Sequence, residues 1–377
     1  MPSGQTVRAC CDRCAGAEGS AAAAIVARRR LLKAAVFPSR SGQPVTVYQP
    51  ERPRSRFIRL PAARSPHSSE TEAEPPEPAR SGSGFADTGH LPRAVSGMVL
   101  DVSPQVLVLG DAGDEQRFTL TPDAVAWRGG QLEPTALRPG DHAVVRLHPS
   151  SRQTADRIWA NIGRVTGIIT ERSGSRLVVS EGATRKPRVV AIQPRAIGRI
   201  QVRFPSLEPG YLIDIIGLRR DDELDGMIPA TSQPAYPAAR LPTPPLVSGH
   251  VPDSIAGSAT WHEPGDEPPG VLGVCYPALD PETGCAEEAE SGQTDGFARM
   301  PYLAIGSVLR VRNECTNLDC MLPVTGCAPV ARLFNDRCVT CGTSPRGRIA
   351  DLTMASFVAL GGELDRGCFN ATITIGE

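Results

Sequence analysis

Lysine is almost missing from this chain. Only Lys33 and Lys186 occur, against 38 arginines in 377 residues. The arginines are scattered rather than gathered into a stripe, which argues against a nucleic-acid footprint. Aromatic residues make up 5% of the chain, too few to build a run of base-stacking platforms. No run of 18 apolar residues exists, so no apolar helix is long enough to span a bilayer. Cysteine is absent from 15 to 274, so neither a disulfide framework nor a thiolate metal site can lie in the middle of the chain.

What is plentiful points to β-structure. Gly (37) and Pro (36) together approach a fifth of the residues, which favours short strands and many turns over long helices. Eight cysteines crowd the C-terminal third: Cys275, Cys285, Cys315, Cys320, Cys327, Cys338, Cys341 and Cys368. An even, dense set in one region reads as four disulfides and an oxidising compartment. Three more, Cys10, Cys11 and Cys14, stand near the N-terminus. The segment "RRRLLK" (28–33) is similar to a twin-arginine export motif, although the apolar "AAVF" after it is shorter than a normal signal core. The reading is a secreted or cell-envelope protein; the plain alternative for this segment is a basic tail.

Five regions follow from composition. Residues 1–93 are basic and rich in Pro, Ser, Arg and Glu, and are expected to be largely disordered. Residues 94–162 and 163–228 form an internal repeat. Gly97 and Gly167 are 70 apart, and so are Pro139-Gly140 and Pro209-Gly210, in "RPGDHAVVRL" and "EPGYLIDIIG". Two landmarks at one period define the repeat. Short alternating runs between Gly/Pro turns make each copy a small five- or six-stranded barrel. Residues 229–248 hold six prolines and read as a semi-rigid spacer. Residues 249–377 carry 8 Lys+Arg against 17 Asp+Glu, which disfavours phosphate-bearing partners there.

In that last region "GSATWHEPG" (257–265) opens with a strand, "IGSVLRVRNEC" (305–315) alternates as a strand, and "APVARLFNDRC" (328–338) reads as a strand delivering Asp336. Thr353 suits a helix N-cap, and Gly361-Gly362 suits its end. "CFNATITIGE" (368–377) closes with an alternating strand.

These residues resemble the double-psi β-barrel of the rare lipoprotein A, barwin and expansin group. "G-x-A-T-W" (257–261) is similar to the opening strand. "L-A-I-G-S-V-L-R-V-R-N" (303–313) is similar to "L-P-x-G-T-x-V-x-V-x-N". "N-D-R-C" (335–338) with "D-L-T-M-A-S-F" (351–357) is similar to the "D-R-C" and "D-L-S" segments. The two repeats likewise resemble tandem OB-like small barrels of bacterial surface proteins, a likeness nearly silent on activity. The expected fold is therefore all-β: two tandem small β-barrels, then a six-stranded double-psi β-barrel with one short helix.

The resemblance implies a groove for an extended glycan, with Asp351 as candidate general acid. Lytic members carry a histidine before "L-P-x-G"; the matching "ARMPYLAIG" (298–306) has none. Glu263 and Asp266, in a polar turn, are weak candidates for a second carboxylate, the default being solvated surface residues. Thr260, Trp261, Tyr302, Asp336 and Arg337 are the groove candidates for substrate. Trp261 and Tyr302 would stack on sugars, with core packing equally open to Trp261. Asp336 is expected to be chiefly structural and Arg337 to pair with it or with Asp351. The likeness also implies that Cys338 and Cys341 each pair with a distant cysteine. The C-x-x-C spacing by itself leaves zinc or a redox pair open, but a second close pair for zinc and a βαβ frame for redox are both missing. No metal and no cofactor is expected. The expected partner is a cell-wall or plant-type polysaccharide, bound by a monomer without efficient cleavage. The alternatives are a glycoside hydrolase or lytic transglycosylase using Asp351, and a structural cell-wall scaffold.

Overall fold

A computed structural model of the chain describes residues 93–111, 113–182, 185–233, 237–240, 252–264, 270–279, 300–338, 340 and 344–375. The expected N-terminal disorder, the "RRRLLK" segment, Cys10, Cys11, Cys14, Asp266, Cys285 and Cys341 lie outside the described residues.

The described residues are mostly β. The first repeat contains β1 (Arg93–Val102), β2 (Val106–Asp111), β3 (Asp114–Trp127), β4 (Gln131–Leu132), β5 (His142–Leu147) and β6 (Thr154–Ala160). The sheet runs β2-β1-β5-β6-β3-β4, and β2 also pairs with β3, so five of the strands close into a ring. The second repeat contains β7 (Ile162–Ser173), β8 (Arg176–Ser180), β9 (Arg188–Ile192), helix α1 (Pro194–Gln201), β10 (Leu212–Arg220) and β11 (Glu223–Pro229). Its strands close as β10-β11-β9-β8-β7.

The 70-residue period is preserved in the register. Gly97 pairs with Ala143 and Gly167 with Ile213; Met98 pairs with Gly110 and Ile168 with Ser180. Even the register slip repeats, between Val99 and Asp101 in one copy and Ile169 and Glu171 in the other. The glycines have one cause. A Cβ on Gly97 would lie 2.9 Å from the Gly110 carbonyl oxygen, and one on Gly167 2.1 Å from that of Ser180. Gly140 and Gly210 both turn at positive φ (90° and 89°), where only glycine is unstrained.

One element breaks the symmetry. The second copy has α1, begun by Pro194 and burying Ala196 and Ile200, a spacing of four that marks one helical face. The first copy has a single 3₁₀ turn at Pro134–Ala136 in its loop before β5.

The third sheet contains β12 (Ser254–His262), β13 (Val274–Tyr276), β14 (Val308–Asn313), β15 (Asp319–Cys327), β16 (Asn335–Asp336), β17 (Arg346–Thr353) and β18 (Cys368–Ile375), with helix α2 (Met354–Ala359). Six strands close in the order β12-β18-β14-β15-β13-β17, and β16 adds to β17. Two of its pairings are parallel, β12–β17 and β13–β15, as a double-psi barrel requires of crossing strands. Thr353 caps α2, its hydroxyl accepting from Ser356 N at 3.2 Å, and Gly361 ends it at φ 76°. The expected strand at 328–338 is mostly a 3₁₀ turn, Pro329–Leu333, followed by the two-residue β16.

The three sheets are not separate beads. Trp127, Val144 and Trp159 of the first barrel and Ile162 and Ile216 of the second belong to the same apolar core as Trp261, Tyr276 and Phe357 of the third. The Pro-rich stretch is not a bare spacer where it is described: Ala238 packs with Leu212, Val330 and Phe334. Among the described residues no helix is long and apolar enough to cross a membrane.

Candidate functional site

The third barrel's central strand is β17. It lies between β12 and β13, so Asp351 stands opposite Thr260 on one side and Cys275 on the other. Along β12, alternate residues face opposite sides. Trp261 points inward, fully buried, its indole N–H donating to the Leu364 carbonyl at 2.9 Å. Thr260 and His262 therefore share the other side. The Thr260 hydroxyl donates to Asp351 Oδ1 at 2.8 Å. His262 Nδ1 lies 3.2 Å from the Asp351 carbonyl oxygen and 3.7 Å from Oδ2. The candidate acid thus has a histidine beside it after all, supplied by the opening strand.

His262 and Asp351 lie on one wall of a small open cleft. The wall carries His262, Glu263, Arg348 and Asp351, with Ala328 and Ala331 beside them; the facing wall is the second small barrel, with Arg164, Thr166, Glu181 and Arg185. Three arginines face three carboxylates, so the cleft is polar and close to neutral. Glu181 accepts from the Thr166 backbone N–H at 3.2 Å. Burial pushes its carboxyl up, against the opposing pull of Arg188.

Under the cleft runs a buried chain of charges. Arg164 grips Asp214 with two bonds of 2.8 and 2.6 Å. Arg348 donates to Asp214 at 2.7 Å and grips Asp336 with two bonds of 2.9 Å. Ser258 adds a bond to Asp336 at 2.7 Å. Burial alone would push the Asp214 carboxyl up, but Arg164 and Arg348 outweigh it and hold it far below the usual range. The chain ties the second barrel to the third, since Arg164 also donates to the Trp261 and Gly367 carbonyls at 3.1 and 2.7 Å. A second tie runs from the first barrel. Arg157 and the Trp159 indole N–H both donate to Asp365, at 3.2 and 2.8 Å.

Several expectations are corrected by this geometry. Trp261 cannot stack on a sugar, because its ring is fully buried and its indole N–H is bonded to the Leu364 carbonyl. Glu263 is no solvated turn residue. It is buried, accepts from Arg164 N at 2.6 Å and pairs with Arg188 at 3.0 Å, which makes it an anchor between barrels. Asp336 is fully buried and structural, so it cannot touch substrate. Its partner is Arg348, while Arg337 is exposed. Tyr302 is half-buried and does not line the cleft. Asp266 is not described.

The four-disulfide expectation also changes. Cys275, Cys320 and Cys368 are buried thiols. Cys338 Sγ lies 3.6 Å from Cys315 Sγ, too far for a bond of about 2.05 Å between those two. Among the described residues no cluster of three or more His, Cys, Asp or Glu side chains could hold a metal ion.

His262, Glu181 and Cys275 are the site residues that sequence reasoning passed over as such. Period-two alternation from Thr260 could have marked His262; nothing in the sequence brings Glu181 or Cys275 to Asp351. Compared with known proteins, the chain matches no family model and no curated protein.

Proposed function

We propose that the protein works outside the cytoplasm on a neutral polysaccharide, and that Asp351 and His262 are its proton-transfer pair. The observation that carries this is the setting of Asp351: its carboxylate accepts from Thr260 and stands beside the His262 imidazole on a polar cleft wall. A histidine next to a carboxylic acid can take up and return the proton that glycosidic cleavage needs. The balanced charge of the cleft suits hydroxyl-bearing sugars better than a polyanion. The likeness of residues 250–377 to the rare lipoprotein A, barwin and expansin group supports a glycan as ligand. The eight cysteines of the C-terminal third and the "RRRLLK" segment support an oxidising compartment.

A second reading, binding without cleavage, is favoured by a different observation. Thr260 bonds to the Asp351 carboxylate and Arg348 also acts on it electrostatically. A carboxylate held in this way is an acceptor for sugar hydroxyls.

The test is a pull-down of the full chain on peptidoglycan, cellulose and chitin, with released sugars analysed. Retention with sugar release is the expected result. Retention without release leaves the second reading standing alone. Retention on none of the three overturns both.

A further inference from the structure

Cys275 is a buried thiol on β13, one strand across from Asp351. Its Sγ lies 3.8 Å from His262 Nε2. The other ring nitrogen, Nδ1, lies 3.2 Å from the Asp351 carbonyl oxygen and 3.7 Å from Oδ2. Both oxygens accept, so with the ring proton on Nδ1 the Nε2 lone pair turns to the sulfur. Three strands that are far apart in sequence thus bring a thiol, an imidazole and a carboxylate into line. This is the order of groups that activates a nucleophile. Ala328 and Ala331, which pack on Cys275, also line the cleft, so the sulfur lies directly beneath its wall.

We propose that Cys275 is a thiol nucleophile activated by His262 and oriented by Asp351, and that the cleft carries out acyl transfer from an amide or ester of an uncharged polar chain. Nε2 takes the thiol proton as Sγ attacks the acyl carbon. The bond from that carbon to the leaving nitrogen or oxygen breaks, and the leaving group departs with the proton from Nε2. The thioester is then cleaved by water, whose proton passes to Nε2 and back to the departing thiolate. No oxidant or metal enters the balance.

The fold supplies its own controls. Cys320 and Cys368 are also buried thiols; burial pushes both up, with Asp319 adding to Cys320 and Asp336 to Cys368. Neither touches an imidazole in the contacts described.

The inference goes beyond the glycan reading and is tested without any glycan. The folded full chain is treated with iodoacetamide near pH 7 under non-reducing conditions, and each cysteine's modification is followed by peptide mass spectrometry. Cys275 should react about tenfold or more faster than Cys320 and Cys368, because the thiolate is the reactive form. His262→Gln should slow Cys275 by about the same factor while leaving the other two unchanged. In a second arm, p-nitrophenyl acetate should leave an acetyl group on Cys275 of the wild-type chain. Cys275 found in a disulfide, reacting no faster than Cys368, or carrying no acetyl group would each overturn the proposal.

Discussion

Asp214 is a hub of the buried polar chain between the second and third barrels. It takes hydrogen bonds from Arg164, Arg348, Thr166 and Thr231. Removing its charge leaves two buried guanidinium groups short of a partner. Asp214→Asn should therefore lose about 3–5 kcal/mol of stability by urea unfolding. The pH dependence has a fixed sign. The folded carboxyl lies below its ordinary 3.8, so its stabilising contribution is complete above that pH and fades as pH falls below it. Glu181 has the opposite sign. Its folded carboxyl is raised from 4.5 by burial, so its ionisation costs stability as pH climbs past that value. Glu181→Gln should raise the melting temperature at pH 7 and make no difference below about pH 4; a mutant that melts lower at pH 7 would contradict this. The place of Asp351 just before helix α2 was legible from its motif, and His262 was not sought where it lies. The expected histidine belonged before residue 303, whereas the partner comes from β12 through the parallel pairing with β17. Strand pairing between residues 90 apart leaves no mark in the sequence.

At the scale of elements the repeat was the most readable feature. Gly97, Gly167, Pro139-Gly140 and Pro209-Gly210 fix a period of 70, and the strand registers keep it. It was readable because each glycine answers a steric demand that any other residue would violate. The demand is unequal, since the added Cβ would approach a carbonyl oxygen to 2.1 Å at Gly167 but 2.9 Å at Gly97. Gly167→Ala should cost about 1–3 kcal/mol and Gly97→Ala less, as read from urea midpoints; the reverse order would contradict the steric account. Helix α1 escaped notice because its apolar face, Ala196 and Ile200, spans barely two turns, too short for periodicity to declare itself. The Thr353 cap was legible because capping is local chemistry, two or three residues in reach. The misassigned strand at 328–338 shows the converse: an apolar run beginning at a proline fits a tight turn as well as a strand.

At the scale of the whole molecule, composition suggested separate barrels with a semi-rigid Pro-rich spacer before the last, and packing gives something else. Apolar residues of all three barrels share one core, and Arg164, Asp214, Arg348 and Asp336 bind the second barrel to the third. Interfaces between domains are invisible to composition, because a tryptophan buried between barrels reads like one buried within a barrel. The described barrels should accordingly unfold in one calorimetric transition rather than three; well-separated transitions would contradict a shared core. The same packing makes the cleft a joint product of two barrels, so the full chain is the right material for functional work. The most direct test of the proposed function is sugar release from peptidoglycan, cellulose and chitin by wild-type and Asp351→Asn chains of matched melting temperature. The expected result is release by the wild type, a fall of about 10²–10⁴-fold in the mutant because an amide cannot shuttle the proton, and retained glycan binding. Undiminished release by Asp351→Asn would contradict the assignment.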